Sequence, residues 1–326
     1  MRIVAALVVR FGVILVSLLA AGAALAQAYP NRPVKVIVPW PPGQATDIAA
    51  RVVAQKLQES LNQAFVIENK PGAGGAIGSE AVAKSAADGY TLLAASSGPL
   101  SIMLHLQKVP YDPLKDFAPV SLVAATPFAL VTHPSFPAAN AKEFIALVRA
   151  SPGKYTFSSS GTGATAHLFT ELFNSMAQLH ARHVPYKGSA AALTDVMNGE
   201  ITYTIETVAA TAAHIKAGRL KAFGVSTAKR TGALPDVAPL AETAALPQYD
   251  IAAWIGYAAP SGTPRDVLVR LSGEIQKALA SDDLKERMVN IGLDAVSSTP
   301  EEMAKFMRRE QDRYGEIIRN ANIRLE

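Results

Sequence analysis

The sequence predicts an α/β protein of two lobes joined by a hinge of crossing strands. Apolar strand segments alternate with amphipathic helical segments in two successive series. Two long apolar stretches, 121–132 and 249–264, stand where the chain would pass from one series to the other and back. Each series also holds a strand that runs through a Gly-containing polar loop into a helix N-terminus. A chain of 326 residues has enough interior for two such cores.

The first series reads VKVIVP (34–39), a helix over 47–61, FVIENK (65–70), a helix over 77–85 and YTLLAAS (90–96). Alternation of this kind argues for a parallel sheet covered by helices. In the first helix Ile48, Val52, Val53, Leu57 and Leu61 form a stripe spaced to bury against that sheet. Residues 121–132 are too apolar for a loop and read as a strand or strand pair that crosses between lobes. The second series follows: a helix over 141–150, KYTFSS (154–159), a helix over 164–176, ARHVPY (181–186), ALTDVMNG (192–199) as a helix and ITYTIE (201–206) as a strand. YDIAAWIGYAAPSGTP (249–264) is the return crossing, and helices from 266 onward pack back on the first lobe. In the last of them Met303, Phe306, Met307, Tyr314, Ile317 and Ile318 recur at helical steps. The resulting division is 27–125 plus 258–326 for lobe 1 and 126–257 for lobe 2. Two crossings make a hinge.

The N-terminus is set apart. Arg2 and Arg10 precede the apolar run FGVILVSLLAAGAALA, which closes on small residues and is shorter than the roughly 20 residues a membrane span needs. Residues 1–26 read as a secretory signal peptide cleaved near Ala26 or Ala28, which marks the mature chain for export. Loss of Arg2 and Arg10 leaves 29 basic against 27 acidic residues, so the formal charge falls from +4 to +2. That balance gives no footing for nucleic acid. The absence of Cys removes disulfides, thiol catalysis, Cys-ligated metal and a lipid-anchored N-terminus.

The loops carry the chemistry. PWPPGQATD contains Trp40, Pro41, Gly43, Gln44, Ala45, Thr46 and Asp47; SSSGTGATAH contains Ser159, Ser160, Gly161, Thr162, Gly163, Ala164, Thr165 and His167. Each loop leaves unpaired N–H groups at a helix start, where the helix dipole also favours an anion. Glycines let a ligand approach the backbone, and hydroxyls add donors and acceptors. Ligands of α/β sheets bind beyond the carboxyl ends of the strands, where both loops lie. Two such loops facing one cleft suit a small carboxylate or dicarboxylate, with Trp40 as an apolar wall. Neither loop has Arg or Lys, so N–H groups, hydroxyls and water would hold the anion. Glu206, at the end of ITYTIE, is placed to reach the cleft mouth.

Catalytic signatures are missing. There is no G-x-S-x-G, H-E-x-x-H or phosphate-binding G-x-x-x-x-G-K-[ST], and PGAGGAIG has Ile77 where a dinucleotide fingerprint needs its third Gly. That glycine cluster reads as a tight helix start. His180 and His183 have no carboxylate at metal-ligand spacing, so neither a metal nor a cofactor is expected.

Taken in order, YPNRPVKVIVPWPPGQATDIAAR, IENKPGAGGAIGSEAVAKSAADGYTLL, YDPLKDFAPVSLVA, SSSGTGATAHL, HVPYKGSAAALTDVMNGEI, KRTGALPDVAPLAE and GYAAPSGTP resemble the signatures of the Bug or TctC family. These are the extracytoplasmic solute-binding proteins of tripartite tricarboxylate transporters. The resemblance implies a periplasmic-binding-protein (Venus flytrap, type II) fold, periplasmic location, capture of an organic carboxylate between the lobes and delivery to integral-membrane permease subunits, without catalysis. It adds Ser96 and Ser97 to the ligand-lining candidates. The family usually has a second Gly where this chain has Gln44, and commonly Asp where it has Glu206.

The reading is therefore a solute-binding protein for a di- or aromatic carboxylate, a monomer by simplest expectation. One alternative is a sensor subunit that presents its ligand to a membrane kinase. Another is a hydrolase using Ser159 or Ser160 with His167, which lacks the nucleophile elbow.

Overall fold

The computed structural model describes residues 29–324, so the signal peptide and its cleavage positions lie outside the described residues. The chain runs β1 (Val34–Val38), α1 (Ala45–Leu61), β2 (Phe65–Asn69), α2 (Ala76–Ala83), β3 (Thr91–Ser96), α3 (Met103–Leu106), β4 (Phe117–Thr126) and β5 (Phe128–Thr132). It continues α4 (Ala141–Arg149), β6 (Thr156–Ser159), α5 (Thr165–Ala177), β7 (Arg182–Pro185), α6 (Ser189–Met197), β8 (Tyr203–Thr207), α7 (Val208–Lys216) and β9 (Lys221–Val225). It ends α8 (Leu240–Thr243), β10 (Ala253–Pro260), α9 (Arg265–Ala280), α10 (Asp282–Asn290), β11 (Asp294–Ala295) and α11 (Pro300–Asn320).

These strands form two sheets, ordered β11-β4-β10-β3-β1-β2 and β7-β6-β8-β5-β9. The βαβ units give parallel pairs, β1 with β2 and β3 in one sheet and β6 with β7 and β8 in the other. The crossing strands break the expected parallel pattern: β10 is antiparallel to both β3 and β4, and β5 to both β8 and β9. They reach their places directly, without the helical crossover that a parallel neighbour requires.

Pro127 alone separates β4 from β5, and it carries the chain from the first sheet into the second. With no N–H to donate, proline suits a position between two ladders. The return strand β10 falls within 249–264, the stretch read as the crossing back. A boundary at 257/258 would cut β10, which pairs with β4 from Ala253 through Pro260.

Both faces of each sheet are covered. Val36 and Val38 pack with Val53, Leu57 and Leu271 on one side of the first sheet. Ile37, Leu93 and Ala95 pack with Val82, Met303 and Met307 on the other. In α1 the buried stripe is Ala49, Ala50, Val53, Ala54 and Leu57, while Ile48, Val52 and Leu61 are only partly covered. Alanines share the sheet-facing stripe with Val53 and Leu57.

Helix α11 packs on the first lobe as expected and also reaches beyond it. Thr299 and Glu302 close a capping box at its start, with Pro300 in the first turn. Met303 and Met307 then enter the core of the first sheet, whereas Tyr314, Ile317 and Ile318 join that of the second. Residues 207–248, for which the sequence predicts no element, hold α7, β9 and α8. Their Ala-rich helix has no pronounced apolar stripe to signal it.

Candidate functional site

The carboxyl ends of β1, β3, β6 and β8 open onto one cavity of about 950 Å³ with walls from both sheets. Trp40, Gly43, Gln44, Ala45, Thr46, Ser96 and Ser97 line it from the first sheet side. Ser160, Gly161, Thr162, Gly163, Ala164, Thr165 and Glu206 line it from the second. Among the described lining residues none is Lys, Arg or His, and Glu206 is the sole ionisable side chain.

The first loop is held from behind. Gly43, at φ +84, donates its N–H to Asp47 Oδ2 at 2.9 Å, which folds the loop back on the first turn of α1. Asp47 Oδ1 accepts from Asn69 Nδ2 at 2.8 Å, and Arg51 Nε lies 3.0–3.1 Å from both oxygens. Burial alone would raise the Asp47 carboxyl, but the bonds from Arg51, Gly43 and Asn69 together hold it below the usual carboxylate range. Asn69 reaches on to the Trp40 carbonyl at 3.0 Å, and the Trp40 indole donates to Ser96 Oγ at 2.9 Å. Asp47 thus supports the loop from outside the cavity wall, and exposed Pro41 is likewise absent from the lining.

The second loop repeats this device with other chemistry. Gly163, at φ +75, donates its N–H to His167 Nδ1 at 3.1 Å, again four residues along. The His167 ring stacks on His183, and His183 Nε2 meets Ser159 Oγ at 2.7 Å. Ser159 Oγ also donates to the Gly161 carbonyl at 3.0 Å. Ser159 and His167 are therefore buried supports, and neither lines the cavity. Of the two serines considered for a hydrolase, Ser159 is matched to His183 and not to His167, whose Nδ1 accepts from Gly163, while Ser160 lines the cavity and His167 does not.

The start of α1 at Ala45 and that of α5 at Thr165 both reach this cavity, so free N–H groups and dipole ends meet there from two sides. Two further helix starts also reach it: Gly188 and Ser189 lead α6, and Thr207 caps α7 by accepting from the Ala210 N–H. The first was within reach of the sequence, since HVPY–KG–SAAAL repeats the strand, glycine and helix order of the two loops. Met103 and Gln107 carry no such signal; the chain brings them round after the π-helical turn at Gly98–Ile102. Ala73 and Gly74 of the glycine cluster also reach the wall, beyond their expected part in starting a helix.

The two lobes and the cavity between them define the periplasmic-binding-protein architecture. Residues 49–323 match the model of the tripartite tricarboxylate transporter family receptor, TctC, and the chain belongs to that family. It is 39% identical over 303 residues to the protein BugT of Bordetella pertussis, an overlap of 92% of this chain and 93% of that one. The solved structure of R. palustris Rpa4515 with adipate is 33% identical with a TM-score of 0.80, over 91% of this chain and 99% of that one. MatC from Rhodopseudomonas palustris with bound malate is 28% identical with a TM-score of 0.75, over 89% of this chain and 100% of that one.

Proposed function

We propose that this chain is a periplasmic receptor that captures a small organic carboxylate between its lobes and hands it to integral-membrane permease subunits. The observation that carries the reading is the meeting of the α1 and α5 N-termini, each with its glycine loop, at one cavity. Anion binding there falls to N–H groups and hydroxyls, because the described walls hold no cationic side chain. The adipate and malate held by two similar proteins support the same class of ligand. A ligand that touches both loops stabilises the closed arrangement of the lobes, with hinge motion at the crossing strands. No catalytic step and no cofactor enter this reading, and a monomer suffices for it.

A thermal-shift screen of refolded, ligand-stripped protein against mono-, di- and aromatic carboxylates tests it. At about a hundred times its dissociation constant a true ligand adds roughly 2.7 kcal/mol of stability. A shift confined to carboxylates is the expected result. A well-folded protein that ignores every carboxylate overturns the proposal. Delivery is tested by reconstituted uptake, which should need both this chain and the permease pair.

A further inference from the structure

Glu206 is 2% exposed, yet its side chain borders the cavity. Its Oε1 accepts the Thr207 N–H at 2.8 Å. Its Oε2 is buried and has no hydrogen-bond partner. Burial drives the carboxyl pKa upward, opposed by the Thr207 N–H and by the hydroxyls of Ser189 and Thr207. A buried polar atom without a partner is costly, and a buried charge more so. The lining brings the Ser189 and Thr207 hydroxyls to this carboxyl but no cation: Glu206 stands alone there as an ionisable group.

We infer that the ligand itself completes Glu206, by presenting a hydrogen-bond donor, an ammonium or a hydroxyl, to its carboxylate as the lobes close, while the ligand's own carboxylate is held at the glycine loops. The inference rests on the carboxylate reading of the cavity and narrows it to acids that carry a donor. It also assigns Glu206 a selective role against a second ionised carboxylate at that end, since two carboxylates brought together without a cation repel each other. An ammonium ranks above a hydroxyl, because a charge-assisted hydrogen bond is about twice as strong as a neutral one.

The test uses ω-substituted acids of four, five and six carbons, each with a methyl, hydroxyl, ammonium or carboxylate far end. Their affinities are measured by calorimetry for the mature wild-type protein and for Glu206→Gln. The substitution keeps the shape and the acceptor for Thr207 but puts an N–H donor in the place of Oε2. For the wild type the expected order is ammonium, hydroxyl, methyl, carboxylate, with about 10- to 100-fold between ammonium and methyl. In Glu206→Gln the ammonium acid should lose that advantage and the dicarboxylate should gain, while the methyl-ended acid binds as before. Equal affinities for all four ends in both proteins overturn the role of Glu206 and leave the carboxylate reading intact. A wild-type preference for the dicarboxylate that Glu206→Gln weakens also overturns it, by making Glu206 a donor. Failure of every acid to bind either protein removes the carboxylate reading and this inference with it.

Discussion

His167 stacks on His183 with ring centroids 3.8 Å apart and 9° between the planes, directly behind the second glycine loop. Burial, and then the neighbouring His167, push the His183 imidazole down to about 4. In the unfolded chain the same ring takes its proton near 6.5. Between these values the unfolded state holds a proton that the folded state refuses, so stability falls as pH drops from about 6.5 to about 4. Above that window His183 contributes no slope. His183→Gln retains a partner for Ser159 without titrating. Its melting temperature should decline less steeply than that of the wild type across the window. Identical slopes would assign the acid sensitivity to other groups.

Asp47 should matter for stability and binding together. Its carboxylate ties the Gly43 N–H, Arg51 and Asn69 into one cluster. Asp47→Ala leaves those donors unmatched and should cost about 2–3 kcal/mol. Asp47→Asn keeps the shape but turns a donor toward one of them, and should fall between the two. Thermal melts and ligand affinity of both variants check this. Because its folded pKa is lowered, the Asp47 contribution is complete above its ordinary carboxylate value and is lost as pH falls through the lower one. An Asp47→Ala protein with normal stability and affinity would show that the loop keeps its shape unaided.

Gly98 sets the position of Trp40. A Cβ there would lie 2.7 Å from Trp40 Cζ2, so Gly98→Ala must displace the indole and break its 2.9 Å bond to Ser96. The expected cost is about 1–3 kcal/mol, with weaker ligand binding and altered tryptophan fluorescence. Gly273 provides the contrast. It lies inside α9 with no atom within 4 Å of the added Cβ, so Gly273→Ala should gain about 0.5–1 kcal/mol without touching affinity. Loss of binding in both variants would point to a general effect of loosened packing rather than to Trp40.

Local periodicity made much of this architecture legible. Strands such as VKVIV and TFSS are bounded by proline- and glycine-containing turns, and the two loops announce themselves by strand, glycine and helix order. What the sequence concealed depends on distance along the chain. Nothing near Ser159 marks His183 as its partner, and the Asp47–Asn69 pair spans 22 residues. Asp47 and His167 read as ligand contacts because they sit beside glycines; the three-dimensional contacts turn them into supports for those glycines. Glu206 is visible as a strand-end acid, but the burial of its carboxyl with Oε2 unmatched arises only in the fold. The double allegiance of α11 was equally hidden, since a continuous apolar stripe does not say that its two ends meet different sheets.

Gln44 separates recognition from folding. It occupies the N-cap position of α1 but its side chain makes no capping bond, and it is exposed on the cavity wall. Glycine is accepted at an N-cap better than residues that cannot cap, so Gln44→Gly should leave the melting temperature within about 0.5 kcal/mol of the wild type. The amide it removes is a donor and acceptor beside the anion-binding N–H groups, and no protein partner competes for it through a capping bond. The ligand profile should therefore shift, with the largest loss for acids whose carboxylate the amide reaches. Affinities of the two proteins for one carboxylate panel decide the matter. Matching profiles would leave recognition at the first loop to its backbone, Thr46 and Trp40.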